Sequence, residues 1–374
     1  MKKNWANIGC MLLIIGLSAC SISGSAPYAT MRSGTQAVTA SADTVQATPA
    51  DRQETPTPLQ PPAEAQVAPL VLDASMAKQS MEYSGLAWFQ DWLVLLPQYP
   101  EKNLIQGQAS LFAIPKQSIT DALNHPSGEA LPWQAIAFED DGLSESIRGF
   151  EGFESIAFNG DEVFMTIESR SGSPMLGYLV RGTVSGAIEQ ITLDADTLVP
   201  LDPQTSFSNA SDEAITLFNG MVYTFFEENG FEQNPQPIAH QFSIEDPLQA
   251  ATIPFPNINY RITDATSTDS EGYFWVMNYF YPGDTHLQAS SDALAEAYGQ
   301  GATHQDSDVV ERIIKLQIDN AAIRLVDEPP VQLQLFPENE ARNWEGLVVL
   351  DDLGFLVVTD SFPESILAFV PADL

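Results

Sequence analysis

A short pattern returns five times along the chain, at Ser84-Gly85-Leu86-Ala87, Glu154-Ser155-Ile156-Ala157, Glu213-Ala214-Ile215-Thr216, Asp264-Ala265-Thr266-Ser267 and Glu345-Gly346-Leu347-Val348. Eight to ten residues after its start, each copy runs into an apolar stretch: 93–96, 163–167, 222–226, 273–277 and 355–359. A unit recurring at intervals of tens of residues describes an array of similar modules, each burying its apolar face against the next. Four of the five copies open with an acid. The same phase of the array therefore carries both the repeat and its most chemical residue.

The units read as β. The second offers strands over 154–158, 162–167, 175–181 and 187–193, and the third over 214–218, 221–226, 238–242 and 251–253, with Asn-Gly, Gly or Pro turns between. Short strands at regular spacing predict a closed all-β array. Residues 291–298 form the one helical insert expected. After Glu345 only three strands fit before Leu374, and a fourth is available at 70–74. The fold class expected is all-β: a β-propeller of five visible four-stranded blades, with six possible, the N-terminal strand closing the last blade and removing the open edge. The first strand of each blade lines the channel. Small residues at positions two and four of the copies suit the crowding there, and Leu or Ile at position three suits packing between blades.

The ends of the chain read differently. Lys2 and Lys3, an apolar stretch over 8–17, and Leu17-Ser18-Ala19-Cys20 describe a secretory lipoprotein signal over 1–20, with Cys20 as the lipidated residue. The apolar stretch is short for a membrane span. Residues 21–68, rich in Ser, Thr, Ala, Pro and Gln, read as a disordered tether, and 69–374 as the propeller domain. The expected location is a membrane-anchored lipoprotein, periplasmic or at the cell surface. The two cysteines, Cys10 and Cys20, both lie in the signal, so the domain has no disulfide, thiolate nucleophile or cysteine metal site. With 15 Lys and Arg against 50 Asp and Glu, the formal net charge is −35. That argues against nucleic acid and anionic lipid surfaces as partners and favours solubility outside the cell. The expected partners are the membrane, through Cys20, and a small anionic ligand; the sequence sets no oligomeric state.

In a propeller the residue entering the first strand and the residue leaving the second meet at one mouth. The first ring is Ser84, Glu154, Glu213, Asp264 and Glu345, and the second Gln98, Glu168, Glu227, Asn278 and Asp360. All carry oxygen. Glu154, Glu213, Asp264, Glu345, Glu168, Glu227 and Asp360 are the candidate metal ligands, and oxygen-only donors point to Ca²⁺. Uncompensated, the same acids form a solvated charged rim. Arg148, Arg170, Arg261 and Arg342 fall at the mouth and suit an anionic substrate, as does Lys102; each could equally pair with a neighbouring acid. His286 and His304, in the long loop of the fourth unit, are candidate general bases, or merely polar surface. Arg312, opening a strand, is a structural candidate. No Gly-x-Ser-x-Gly, His-Glu-x-x-His or phosphate-binding Gly-rich loop is present.

Across residues 80–370 these motifs, in order, resemble the phytase-like domain family with "esterase-like activity of phytase". The motifs are Ser84-Gly85-Leu86-Ala87, Phe153-Glu154-Ser155-Ile156-Ala157 with Glu168, Glu213-Ala214-Ile215, Ile262-Thr263-Asp264-Ala265, and Trp344-Glu345-Gly346-Leu347 with Thr359-Asp360-Ser361. More distantly, the strand starts resemble calcium-dependent lactonase and phosphotriesterase propellers. The chain departs from the phytase-like pattern at Ser84, where another acid is expected, and at Thr266, where that family has an apolar residue. The resemblance implies a propeller and a secreted phosphoesterase or esterase. Two functions follow for testing: a metal-dependent hydrolase with its site at the channel mouth, or a non-catalytic propeller binding a ligand or protein there around a structural cation.

Overall fold

The computed structural model describes residues 61–374 apart from Asn320, Glu338 and Asn339. The signal segment, Cys20 and the tether up to residue 60 lie outside the described residues. The strands form five four-stranded blades, blades 1 and 2 being joined by a parallel pairing of 137–139 with 190–192, and short extra strands lie at Glu64–Ala65, Leu104–Ile105 and Ile323–Leu325. Blade 1 is Tyr83–Phe89, Trp92–Pro97, Gln108–Pro115 and Gln134–Glu139; blade 2 is Phe150–Asn159, Glu162–Ser169, Leu176–Ser185 and Gln190–Leu201. Blade 3 is Asp212–Phe218, Met221–Phe226, Ile238–Ser243 and Ala250–Pro254, and blade 4 is Arg261–Ala265, Tyr273–Phe280, Val310–Ile318 and Val331–Leu333. Blade 5 is Trp344–Leu350, Gly354–Thr359 and Leu367–Pro371, completed by Ala68–Leu70 from the N-terminal side. The ring is closed: each innermost strand packs against the next, and that of blade 5 against that of blade 1. This is a five-bladed β-propeller, and among the described residues the long first and fourth units hold no sixth blade.

Local sequence explains the blades. Asn219 and Gly220 both adopt left-handed φ, of 49° and 75°. That is the two-residue turn whose twist matches a hairpin, here joining the first two strands of blade 3. The length of unit one goes instead into helices at Lys116–Asn124 and Leu143–Ser146, which the period-two reading missed. The expected helix at 291–298 is present as Ala293–Tyr298, capped by Asp292, whose carboxylate accepts from Leu294 N and Ala295 N.

Five apolar clusters fill the five seams between blades. Leu86 lies in the seam of blades 5 and 1, Ile156 in that of 1 and 2, Ile215 in that of 2 and 3, and Leu347 in that of 4 and 5. Position three of the repeat therefore anchors each blade to its predecessor, each such side chain contributing about 1.5–3 kcal/mol when fully buried.

The chain joins the sheets earlier than the expected boundary at 68. Glu64–Ala65 pairs parallel with Gln332 and Leu333 on blade 4, and Ala68–Leu70 then pairs with Leu367–Phe369 on blade 5. The closing strand thus precedes the expected 70–74. Glu64 is the clip. One of its oxygens accepts from Thr303 N (2.8 Å), Thr303 Oγ1 (2.8 Å), His304 N (3.3 Å) and His304 Nδ1 (3.0 Å). Those bonds hold its carboxyl below the ordinary value against the opposing effect of burial. Glu64→Ala would leave these donors without an acceptor and is expected to lower unfolding stability by about 1–3 kcal/mol. Denaturant titration with an unchanged m-value checks this.

Candidate functional site

The acids reach the mouth by one device repeated around the ring. In blade 1, Tyr83 faces Pro97 and Gly85 faces Leu96, leaving Ser84 as an extra residue. In blade 2 the extra residue is Glu154, with a second at Glu151; in blade 3 it is Glu213; in blade 5 it is Glu345. A β-bulge breaks the strict alternation of a strand and re-aims one side chain. Here it turns an inner-strand residue out of the pleat toward the open end of the channel.

Blade 4 corrects the sequence alignment by one residue. Its bulge sets Thr263 and Asp264 against Met277 alone. Thr263 Oγ1 donates to Trp344 O (2.6 Å), the residue before Glu345, just as Ser84 Oγ donates to Phe153 O (2.6 Å), the residue before Glu154. The ring residue of blade 4 is therefore Thr263. Asp264 occupies position two, where the other blades carry Gly85, Ser155, Ala214 and Gly346. The shift also resolves the departure at Thr266, since position three becomes Ala265, which packs in the apolar cluster of blades 3 and 4.

Asp264 is consequently not a mouth ligand. It is buried on the channel axis, where Oδ2 accepts from Leu347 N (2.7 Å) and Leu86 N (3.3 Å) and Oδ1 from Ala265 N (2.8 Å). Gly346 lets the inner strands of blades 5 and 1 come close enough to share Asp264, since a Cβ there would lie 2.7 Å from Leu86 Cγ and 3.2 Å from Leu86 N. Burial pushes its carboxyl well up, and the three amides pull it down. It clasps blades 4, 5 and 1 below the mouth.

Above it opens a cavity of about 610 Å³, walled by Ser84, Gln98, Glu154, Glu168, Glu213, Glu227, Glu345 and Asp360 from the two expected rings. Arg170 and Arg261 also line it. The sequence reading missed Glu82, Glu151, Asp284 and Glu340, and the aromatic wall of Tyr279, Tyr281 and Phe362. The carboxylates number ten, the guanidiniums two. Glu151 carried a usable signal, lying three residues before Glu154 on the same strand. Gln98 is fixed from both sides: its carbonyl accepts from Phe153 N (2.9 Å) and its amide donates to Glu154 Oε1 (2.9 Å). Gly152, at φ 130°, permits that approach, because a Cβ there would lie 2.9 Å from Gln98 O.

Other expected site residues lie elsewhere. Asn278 is buried, donating to Asn259 O and Arg261 O and accepting from Arg312 Nε. Arg342 is buried against Glu311, with Nη2 to Oε2 at 2.6 Å, and a carbonyl of Gln334; it is a core ion pair, not a mouth residue. Arg148 is exposed and outside the cavity wall. His304 is buried in the Glu64 clip, its Nε2 accepting from Glu311 N (3.4 Å), so neither ring nitrogen is available as a base. His286 pairs through Nε2 with Glu228 (2.9 Å) and packs on Phe207, outside the cavity. Lys102 covers the ring of Tyr99.

The electrostatics of the wall are unbalanced. Glu213 and Glu345 touch the cavity space but are enclosed by protein around it. Burial raises Glu154, then Glu168 and Glu213 raise it further. Glu213 is raised by burial and by Glu345, and Glu345 by burial and by Asp360. Glu168 is pushed up to about 7 by burial, with the Ser211 hydroxyl, Arg170 and Arg261 pulling the other way. Glu168 Oε1 and Glu227 Oε2 are buried oxygens with no protein partner. The cation these acids share is Arg261. It contacts Glu227 directly, and its Nε donates to Asp284 Oδ2 (3.0 Å). Burial disfavours its charge, but Glu213, Asp284 and Glu345 outweigh that and raise its pKa. Arg170 is half-exposed, in contact with Asn209 and 3.6 Å from Glu151.

An all-oxygen wall with orphaned carboxylate oxygens has the donor chemistry of a Ca²⁺ site. Its spacing is looser than one: among the described residues no three Asp, Glu, His or Cys side chains converge to hold an ion.

No protein-family model matches the sequence, and no curated protein matches it. The resemblance to the phytase-like family rests on the quoted motifs alone. Solved structures similar to this chain include the apo soluble aldose sugar dehydrogenase of Escherichia coli, at 10% identity and TM-score 0.41, covering 80% of this chain and 98% of that one. A thermostable family-43 glycoside hydrolase aligns at 10% identity and TM-score 0.43, covering 78% and 94%. An alpha-L-arabinanase mutant of Cellvibrio cellulosa aligns at 8% identity and TM-score 0.43, covering 77% and 91%. Likeness at this distance carries no inference about chemistry.

Two outcomes are expected. A carboxyl raised by folding binds its proton more tightly folded than unfolded. Stability that is present near the ordinary carboxylate value is therefore lost as pH rises toward the folded value of about 7 for Glu168. Thermal unfolding should show stability falling from pH 5 to pH 8, and Glu168→Gln should remove part of that fall, of order 2–3 kcal/mol. A mutant with the wild-type pH slope would refute the assignment. Asp264→Ala should cost about 2–4 kcal/mol by orphaning the Leu86 and Leu347 amides, more than Thr263→Ala, as read by denaturant unfolding.

Proposed function

We propose that the mouth is a binding site for a cation, on an extracytoplasmic propeller held at a membrane face through lipidated Cys20. One observation carries the binding reading. Glu168 and Glu227 line the cavity, each with a buried carboxylate oxygen that no protein group satisfies, in a wall of ten acids and two arginines. A buried unpaired acceptor costs about 1–3 kcal/mol, more when charged, and a cation held in the cavity would offset part of that cost through its charge.

Ca²⁺ is the metal such oxygens would take, but among the described residues no three of Glu154, Glu168, Glu213, Glu345, Glu227 and Asp360 converge on one point, so holding it would need them to close in. Bound there, such an ion supplies positive charge and polarises an ester or phosphoryl oxygen. The chain's own groups do the rest. Gln98 fixes Glu154, Arg261 holds Glu227, and Arg170 keeps guanidinium donors at the rim for an anionic group. Without added positive charge the acidic wall repels a phosphoester, so the small anionic substrate of a phytase-like hydrolase depends on the cation binding first.

A hydrolase reading is favoured by Arg170, whose half-exposed guanidinium lines the cavity where it can hold the anionic group of an ester substrate. The alternative is a non-catalytic binding propeller with the same cation site.

Calorimetric titration of the full chain with Ca²⁺ and Mg²⁺ tests the proposal. Saturable Ca²⁺ binding that raises the unfolding temperature is expected, weakened about tenfold or more by Glu213→Gln combined with Glu345→Gln. Neither metal binding at millimolar concentration would remove the metal reading. Turnover of 4-nitrophenyl phosphate or acetate that requires Ca²⁺ and falls in Glu168→Gln supports the hydrolase. Binding without turnover leaves the propeller as a binding protein.

A further inference from the structure

We propose that the cation the mouth is shaped for is organic: an amidinium or guanidinium group carried on a flat apolar arm. This deepens the reading of the mouth as a cation site and names its ligand class. Three independent features of the cavity lead to it.

The first is a precedent inside the molecule. The wall already holds a guanidinium, that of Arg261, by direct contact with Glu227 and by a 3.0 Å bond to Asp284. Having engaged it, the wall still has unpartnered oxygens: Glu227 Oε2 on a side chain 1% exposed and Glu168 Oε1 on one 6% exposed. A second planar cation in the cavity would face carboxylates of the kind that already hold the first. A guanidinium or amidinium offers parallel N–H donors to carboxylates in that way, which a point ion cannot.

The second is the spread of the acids. They surround a cavity of about 610 Å³ and no three converge on one point among the described residues. A delocalised cation contacts separated carboxylates, whereas a bare divalent ion needs its ligands within about 2.3–2.6 Å. The volume also falls in the range of small-molecule sites, about 300–1,000 Å³.

The third is the rim. Tyr281, 51% exposed on the loop after the second strand of blade 4, and Phe362, 61% exposed after the second strand of blade 5, both line the cavity. Aromatic faces next to carboxylates attract an organic cation through the ring quadrupole and cover its apolar arm. Neither ring packs in the apolar clusters of the seams, so both are free to serve a ligand.

Benzamidine is the probe, benzamide its neutral isostere, and the full chain the protein. Calorimetry should show saturable benzamidine binding, at least about tenfold tighter than benzamide and weakened by salt. Tyr281→Ala and Phe362→Ala, both on exposed side chains, should each weaken it about twofold to fivefold with unchanged unfolding temperature. Glu168→Gln should weaken it further. Agmatine and a capped arginine tripeptide distinguish a free ligand from an arginine side chain of a peptide: tighter binding of the tripeptide assigns the peptide source. Equal binding of benzamide, wild-type affinity in both aromatic variants, or no benzamidine binding at 10 mM in a chain that does bind Ca²⁺ would overturn the inference and leave the metal reading standing. Failure of every cation to bind would overturn both.

Discussion

Five strands converging on one axis leave almost no room for side chains, and most of this protein follows from that crowding. Gly85, Ser155, Ala214 and Gly346 keep the inner strands close. The same closeness lets one carboxylate, that of Asp264, reach amides of two other blades across the axis. Above that level a bulge at Ser84, Glu154, Glu213, Thr263 and Glu345 breaks the pleat once in every blade. The mouth is thus a consequence of how the inner strands end their crowded stretch. Its chemistry follows from which residue each blade places in the bulge.

Much of this was legible in one dimension because a repeat reports itself. The copies of the pattern located every blade, and alternation with Asn-Gly turns gave the strands of blades 2 and 3 to within a few residues, apart from the longer ends of blade 2. Position three predicted the seams. The one-residue error in blade 4 arose because the acid was taken as the marker of phase. There the acid sits one place further on, and the hydroxyl of Thr263 does the equivalent work. Only the matching bonds to Trp344 O and Phe153 O reveal this, and they join blades far apart in sequence.

The arginines and histidines show the other limit. Arg148, Arg261 and Arg342 look alike before the first strands, and Arg170 stands after a second strand, but their partners lie on different blades. Arg342 is claimed by Glu311, Arg261 by Glu227 and Asp284, and Arg170 keeps much of its surface. Which cation is spent in the core and which is left at the mouth depends on acids 30 or so residues away, beyond any local pattern. His304 became a structural group because Glu64, in a segment that composition assigned to a tether, folds back onto it. Aromatic rim residues were missed because a lone Tyr281 or Phe362 on a loop has no periodicity to betray it.

That returning segment has a mechanical meaning. Between Glu64 and Leu70 the chain crosses the seam of blades 4 and 5, paired first to one and then to the other. A pull on the preceding chain loads the two-residue parallel ladder and the Glu64 clip before it loads the strand that closes the ring. The clip is a fuse in series: under tension it yields first, freeing residues 64–67 while the propeller stays shut.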